Sequence, residues 1–139
     1  MPEKNRTYRA RIEGDTSEGR GVARMDGQAV FVHRALRGED CDVLILKVLK
    51  NAAFGKVVQV HEPSPHRREP DCPWYGRCGG CDFRHMDREE ELEAKRQRVQ
   101  DALRRIGGSE VTVETIFSGE PLHYRNKSQY PVGADGSIG

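Results

Sequence analysis

The stretch "GRGVARMDGQAVFVHRAL", Gly19–Leu36, sets two short runs of alternating side-chain character on either side of Asp26-Gly27. Asp-Gly between alternating runs is a strong short-range hairpin signal, because both residues tolerate the positive φ of a tight turn. Working outward, "TYRARIEG" (Thr7–Gly14) alternates in the same way. "CDVLILKVLK" (Cys41–Lys50) is strongly apolar, and "FGKVVQV" (Phe54–Val60) follows a break at Asn51–Ala53. Five short strands in about 55 residues predict a small closed barrel, since closure hides the edges such a meander would expose. Cys41, inside the apolar run, reads as a barrel residue.

The whole chain has 139 residues, 35% hydrophobic and 32% charged, which suits a folded rather than a disordered protein. Lys and Arg number 23 against 22 Asp and Glu, so no global field draws it to nucleic acid or membrane. Residues 1–61 carry a mild basic excess. No apolar run is long enough to span a bilayer, and "MPEKNRTYRARIEGD" lacks the apolar core of a signal peptide, so the expected location is cytoplasmic.

Beyond the barrel, "HEPSPHRREPD" (61–71) reads as a linker, because Pro63, Pro65 and Pro70 deny it helix and central strand. "MDREEELEAKRQRVQDALRRIGG" (86–108) predicts one long helix. Asp87 is its cap, Glu90 stands at capping-box spacing, Gly107-Gly108 stops it, and Leu92, Val99, Leu103 and Ile106 share a face. "VTVETIF" (111–117) and "HYRNKSQYPVG" (123–133) read as strands, and Asp135-Gly136 as a hairpin turn. The chain ends within the returning strand, which predicts the front portion of a longer protein.

Between linker and helix lies "CPWYGRCGGCDFRH" (72–85), with Cys72, Cys78 and Cys81 at C-x5-C-x2-C spacing. In a reducing compartment three close cysteines among glycines point to a metal rather than to disulfides. Spacing alone leaves two centres open. Zinc would take the three thiolates with His85 as fourth ligand. An iron-sulfur cluster would take them with a distant fourth cysteine. Trp74 and Tyr75 are candidates to shield such a centre or to stack on a base.

Taken in order, a basic barrel, "CPWYGRCGGC", "KRQRVQDALRRIGG" and "HYRNKSQYPVG" resemble the N-terminal part of the S-adenosylmethionine-dependent RNA uridine-5-methyltransferases. The resemblance covers essentially the whole chain. It implies an OB-like TRAM barrel over 1–61, a 4Fe-4S loop within 62–86, and a helix leading into an α/β central domain over 87–139. It further implies Cys72, Cys78 and Cys81 as three cluster ligands, with the fourth ligand, the catalytic cysteine, the general base and the cofactor site outside these residues. No catalytic residue is therefore expected here. The RNA expected by resemblance is ribosomal, of the 23S type, and the rival reading is a stand-alone zinc- and RNA-binding module without catalysis. OB-like barrels hold RNA with cations on the backbone and aromatics on splayed bases. Lys47, Lys50, Phe54 and Lys56 are the candidates in the barrel. Arg125 and Lys127, alternating on an expected strand, are the candidates beyond it.

Overall fold

The computed structural model describes residues 1–139. Its strands are β1 (Thr7–Arg11), β2 (Gly14–Asp15), β3 (Gly21–Met25), β4 (Gln28–His33), β5 (Asp40–Val48) and β6 (Ala52–Glu62), followed by one helix, α1 (Arg88–Arg105). They form one sheet in the order β1-β5-β6-β4-β3-β2.

The expected five strands become six because the first one bends. β1 pairs with β5, and two residues later β2 pairs with β3. At the bend, Ile12 N donates to Glu39 O and Glu13 N donates to Val22 O. One continuous piece of chain is thus hydrogen-bonded to both ends of the sheet, which rolls the sheet into a barrel-like body. The remaining seam is the parallel pairing of β4 with β6.

Alternation decides which side chains face inward. Val30 and Val32 of β4, Cys41, Val43 and Ile45 of β5, and Ala23 and Ala53 are all buried in one cluster with Ala10, Ile12 and Ala35. Cys41 is fully buried, and burial pushes its thiol up to about 12, so it stays a small protonated core residue. The tight turn falls where Asp26-Gly27 places it, with φ of 50° and 80°. Gly55 fits a narrow gap: a Cβ there would lie 2.6 Å from Val43 Cγ1 and 2.8 Å from Leu44 O.

The proline-rich stretch is a strap rather than a loose linker. Glu39, fully buried at the barrel's end, accepts from Leu36 N at 2.9 Å, from Ser64 N at 3.2 Å, and from both Nε and Nη2 of Arg67. Arg67 Nη2 also donates to Arg34 O at 2.7 Å. Prolines withhold helix and strand here, and these side-chain bonds fix the path instead.

α1 begins as expected, with the Asp87 carboxylate accepting from Glu90 N at 3.0 Å. The reciprocal arm of a capping box is missing, because Asp87 N donates to His66 O and the Glu90 carboxylate turns to Arg37. Nor does the expected apolar stripe form a buried face. Val99 is half exposed and Ile106 almost fully so, whereas the buried side chains of the helix are Glu90 and Gln100.

The strands expected at 111–117 and 123–133 do not form. Where "VTVETIF" would need a neighbouring strand, Gln100 supplies both bonds: its Nε2 donates to Val111 O at 2.9 Å and its Oε1 accepts from Val113 N at 2.8 Å. Arg96 Nη1 donates to Val113 O as well. A strand conformation without a ladder partner has nothing to stabilise it, whatever its propensity. Residues 121–139 are exposed throughout, but the expected turn at Asp135-Gly136 forms: Gly136 has φ 82°, Gly133 N donates to Ser137 O at 2.8 Å, and Val132 bridges Ile138.

Candidate nucleic-acid interface and cysteine loop

Because β4 and β6 are parallel and in register, the outward side chains of four strands line up across the barrel wall. Val22 stands opposite Phe31, Phe31 opposite Phe54, and Phe54 opposite Lys47. One row along, His33 is opposite Lys56 and Lys56 opposite Leu44. On the other side the row is Arg24, Ala29 and Ala52. The two phenyl rings are half-buried, 5.4 Å apart between centroids and tilted by 33°, and the Arg20 guanidinium lies 5.8 Å from the centroid of the Phe54 ring.

Most arginines of this body are neutralised in place; Lys4, Arg34 and the lysines of this wall have no carboxylate partner. Arg6, Arg9, Arg11, Arg20, Arg24 and Arg37 each have a carboxylate partner, as in the bidentate Arg9–Asp40 pair at 2.9 and 3.0 Å. Lys47, Lys50 and Lys56 are exposed and belong to no ion pair. Unpaired cations on one wall are a local positive field that a nearly neutral total charge conceals. His33, at the same wall, is held below the usual imidazole range by burial and by Arg34 and Arg20, against an opposing pull from Asp82.

The structure therefore brings Lys47, Phe54 and Lys56 together and places Lys50 in the adjoining β5–β6 turn. It does not join Arg125 and Lys127 to them through any strand. Arg125 reaches the cysteine loop instead, its Nη2 3.4 Å from Gly80 O, and Lys127 is exposed. Sequence reasoning passed over Phe31, His33 and Arg20. The alternation in "VFVH" carried the signal for the first two, since inward Val30 and Val32 require outward Phe31 and His33.

The cysteine loop is seated on the barrel at Arg34 and Gly19 and is braced internally by Tyr75. Arg34 Nη2 donates to Tyr75 O at 2.6 Å, and its guanidinium lies 5.2 Å from the Tyr75 ring centroid. Gly19, at φ 68°, abuts the Asp82 carbonyl so closely that a Cβ would collide with it. The Tyr75 hydroxyl lies 2.6 Å from His85 Nδ1 and 3.1 Å from Asp82 O. A hydroxyl has one proton, so both bonds form together only when neutral His85 carries its proton on Nδ1. Burial lowers His85 to about 4, which keeps it neutral. Tyr75 is thus a tie between loop and barrel, while Trp74 stays largely exposed.

Cys72 is half-buried, Cys78 and Cys81 are exposed, and all are free of disulfides. Three soft thiols on a short glycine-bearing loop are the donor chemistry an iron-sulfur cluster uses. Yet no three His, Cys, Asp or Glu side chains are drawn close enough together to hold a metal ion. Gly79 takes a left-handed φ of 71° between Cys78 and Cys81, a backbone turn that glycine adopts without strain. His85 is 1% exposed, with Nδ1 against the Tyr75 hydroxyl at 2.6 Å and Nε2 without a hydrogen-bond partner. Beside the loop runs a groove of about 750 Å³, bordered by Arg68, Arg84, Arg88, Lys95 and Arg125. Most of these cations are neutralised locally, Arg68 by Asp87, Arg84 by Asp71, and Arg88 and Lys95 by Glu91.

Comparison with known proteins adds family information to this geometry. Residues 3–58 match the TRAM domain. The chain is 44% identical over 133 residues to a Clostridium tetani protein named an uncharacterized RNA methyltransferase, covering 95% of this chain and 29% of that protein. Similar proteins of the same name from Halalkalibacterium halodurans and Bacillus cereus are 46% and 42% identical, each covering 94% of this chain and 29% of its own length. Among solved structures, a conserved protein of Methanococcus maripaludis is 35% identical over 41% of this chain and 81% of its own, with a TM-score of 0.40. This chain carries a TRAM domain at its N-terminus and spans less than a third of the length of the curated relatives it matches. No helix is long and apolar enough to cross a membrane.

Proposed function

We propose that this chain is the RNA-holding and cluster-holding part of an S-adenosylmethionine-dependent transferase that methylates C5 of uridine in RNA, with 23S ribosomal RNA as substrate. The carrying observation is the wall on which Phe54 and Lys47 pair across β6 and β5 beside Lys56, with all three lysines free of carboxylates. Cations that fold stability leaves unpaired are available to phosphate, and outward aromatics are available to bases. The TRAM domain and the relatives named RNA methyltransferases support the RNA half of this reading. The uridine half rests on the motif resemblance.

In this reading Cys72, Cys78 and Cys81 hold a 4Fe-4S cluster with a fourth ligand contributed from outside these residues. The cluster supplies a rigid inorganic cross-link, with redox capacity, to a loop that has no core of its own. The chain's own residues do the rest: Tyr75, His85 and Arg34 fix that loop against the barrel, next to the RNA wall.

The test is methyl transfer by the protein at the length of its relatives. Isotopically labelled S-adenosylmethionine and a 23S transcript should yield 5-methyluridine in digested RNA by mass spectrometry. Label on another base, or on another atom of uridine, would overturn the assignment.

A further inference from the structure

We infer that Phe31 and Phe54 form a stacking floor for an unpaired RNA base, flanked by Arg20 and His33, so that this wall takes single-stranded rather than duplex RNA. The inference rests on the RNA reading above and deepens it by naming the form of RNA that the barrel engages.

The floor is made by the parallel register. Rings directly opposite each other on β4 and β6, tilted by 33°, give a broad and nearly continuous apolar surface rather than an edge-to-face pair. Val22 extends it on β3 and Lys47 bounds it on β5. On one side the next row offers the methyl groups of Ala29 and Ala52 beside the two rings, with Arg24 beyond them on β3 and paired with Glu13, so the surface next to the rings is low. On the other side stand His33 and Lys56.

Arg20 lies near the outer limit of a direct cation–π contact with Phe54, and its pairing with Glu18, at 3.4 Å, is loose. It can therefore close over a base as readily as over the ring. His33, neutral at physiological pH, presents a donor and an acceptor to a base edge or a 2′-hydroxyl. The acids near this wall include Glu18, paired with Arg20, Glu13, paired with Arg24, and Asp82, whose charge acts on His33.

A stacking floor discriminates between forms of RNA. In a duplex the base faces are already covered by their neighbours, and only phosphates and groove edges reach the protein. Stacking on exposed aromatics is open only to bases outside a helix, and is tolerant of sequence because every base has a π face.

The experiment is fluorescence anisotropy of the 139-residue chain with a labelled 12-nucleotide single strand and with the matched duplex. Single-strand binding should be at least ten-fold tighter. Phe54→Leu and Phe31→Leu, which keep apolar bulk, should each weaken it about ten-fold without changing its salt slope, and Phe54→Trp should bind as tightly as the parent. Equal affinity for the duplex, or Leu variants that bind as tightly as the parent, would overturn the inference and leave RNA binding itself standing. Binding to neither RNA would overturn the RNA reading along with it.

Discussion

Arg67 Nη2 donates to Glu39 Oε2 at 2.7 Å across the junction between the barrel's end and the proline-rich strap, with Glu39 wholly out of solvent. Burial alone would raise this carboxyl. The Arg67 guanidinium and the Leu36 and Ser64 amides outweigh it and hold Glu39 below the ordinary carboxylate range. A depressed carboxyl stabilises the fold fully above its unfolded value near 4.5 and loses that contribution as pH falls through the lower folded value. Arg67→Met would leave the charge buried and unpaired, with an expected loss of about 3 kcal/mol. Urea melts at pH 7 and pH 3 test both statements: the variant's deficit should shrink at the acidic end.

Asp15 titrates in the opposite sense. Burial and the nearby Glu90 carboxyl lift it to about 7, against the pull of the Arg37 amide, which donates to its Oδ1 at 3.0 Å. A raised carboxyl contributes stability that is present below its unfolded value near 3.8 and is lost as pH rises through 7. Asp15→Asn keeps an acceptor for Arg37 N and removes the charge. Its melting temperature should exceed the parent's at pH 8 by an amount equivalent to roughly 1 kcal/mol or more, and the gap should close as pH falls toward the unfolded value near 3.8. A constant offset at both pH values would contradict the assignment.

Tyr75→Phe deletes the hydroxyl that His85 and Asp82 share. It leaves a buried imidazole with neither nitrogen bonded, because Nε2 already lacks a partner. The expected cost is about 1–3 kcal/mol. Faster amide exchange confined to residues 72–85 would accompany it, while the barrel strands keep their protection.

Gly55→Ala should be among the more damaging small substitutions in the barrel, since its methyl would strike Val43 and the Leu44 carbonyl. Overpacking of this kind costs about 1–3 kcal/mol. Gly27→Ala meets no atoms within 4 Å, and its penalty comes only from the positive φ of 80°. Thermal denaturation of the two variants separates collision from backbone strain.

Replacing Lys47, Lys50 and Lys56 one at a time by Ala should lower the slope of log binding constant against log salt by about 0.7 for each phosphate no longer neutralised. Salt titrations of single-stranded RNA binding measure it directly. Unchanged slopes would place the phosphate track elsewhere on the molecule. For the loop, Cys72→Ser, Cys78→Ser and Cys81→Ser should each reduce iron and sulfide retained after anaerobic reconstitution, whereas Cys41→Ala should not.

What the sequence made legible was local. Asp26-Gly27 announced its turn, Asp87 its cap, and the apolar neighbours of Cys41 its burial. What stayed hidden depends on partners distant in the chain. Phe31 and Phe54 face each other only because β4 and β6 run parallel, and no spacing in the sequence encodes that register. The strands expected after α1 failed for the same reason, since Gln100 and Arg96 took the backbone groups that a neighbouring strand would have bonded. The apolar positions of the helix do recur at helical spacing, yet Glu90 and Gln100 won the buried side by pairing with Arg37 and with the backbone of Val111 and Val113.

The bent segment from Thr7 to Asp15 has a kinetic corollary. Its partners on β5 lie more than 25 residues downstream, whereas β3 and β4 are joined by a two-residue turn. Loop-closure entropy favours the nearer contact, so the strand synthesised earliest of the six is the last to be locked in place. Folding experiments should register this as φ-values near zero in β1 and distinctly higher ones in the β3–β4 hairpin. Until that final closure the half-formed sheet has two open edges, and this interval is when a nascent chain of this design is most exposed to pairing with the wrong neighbour.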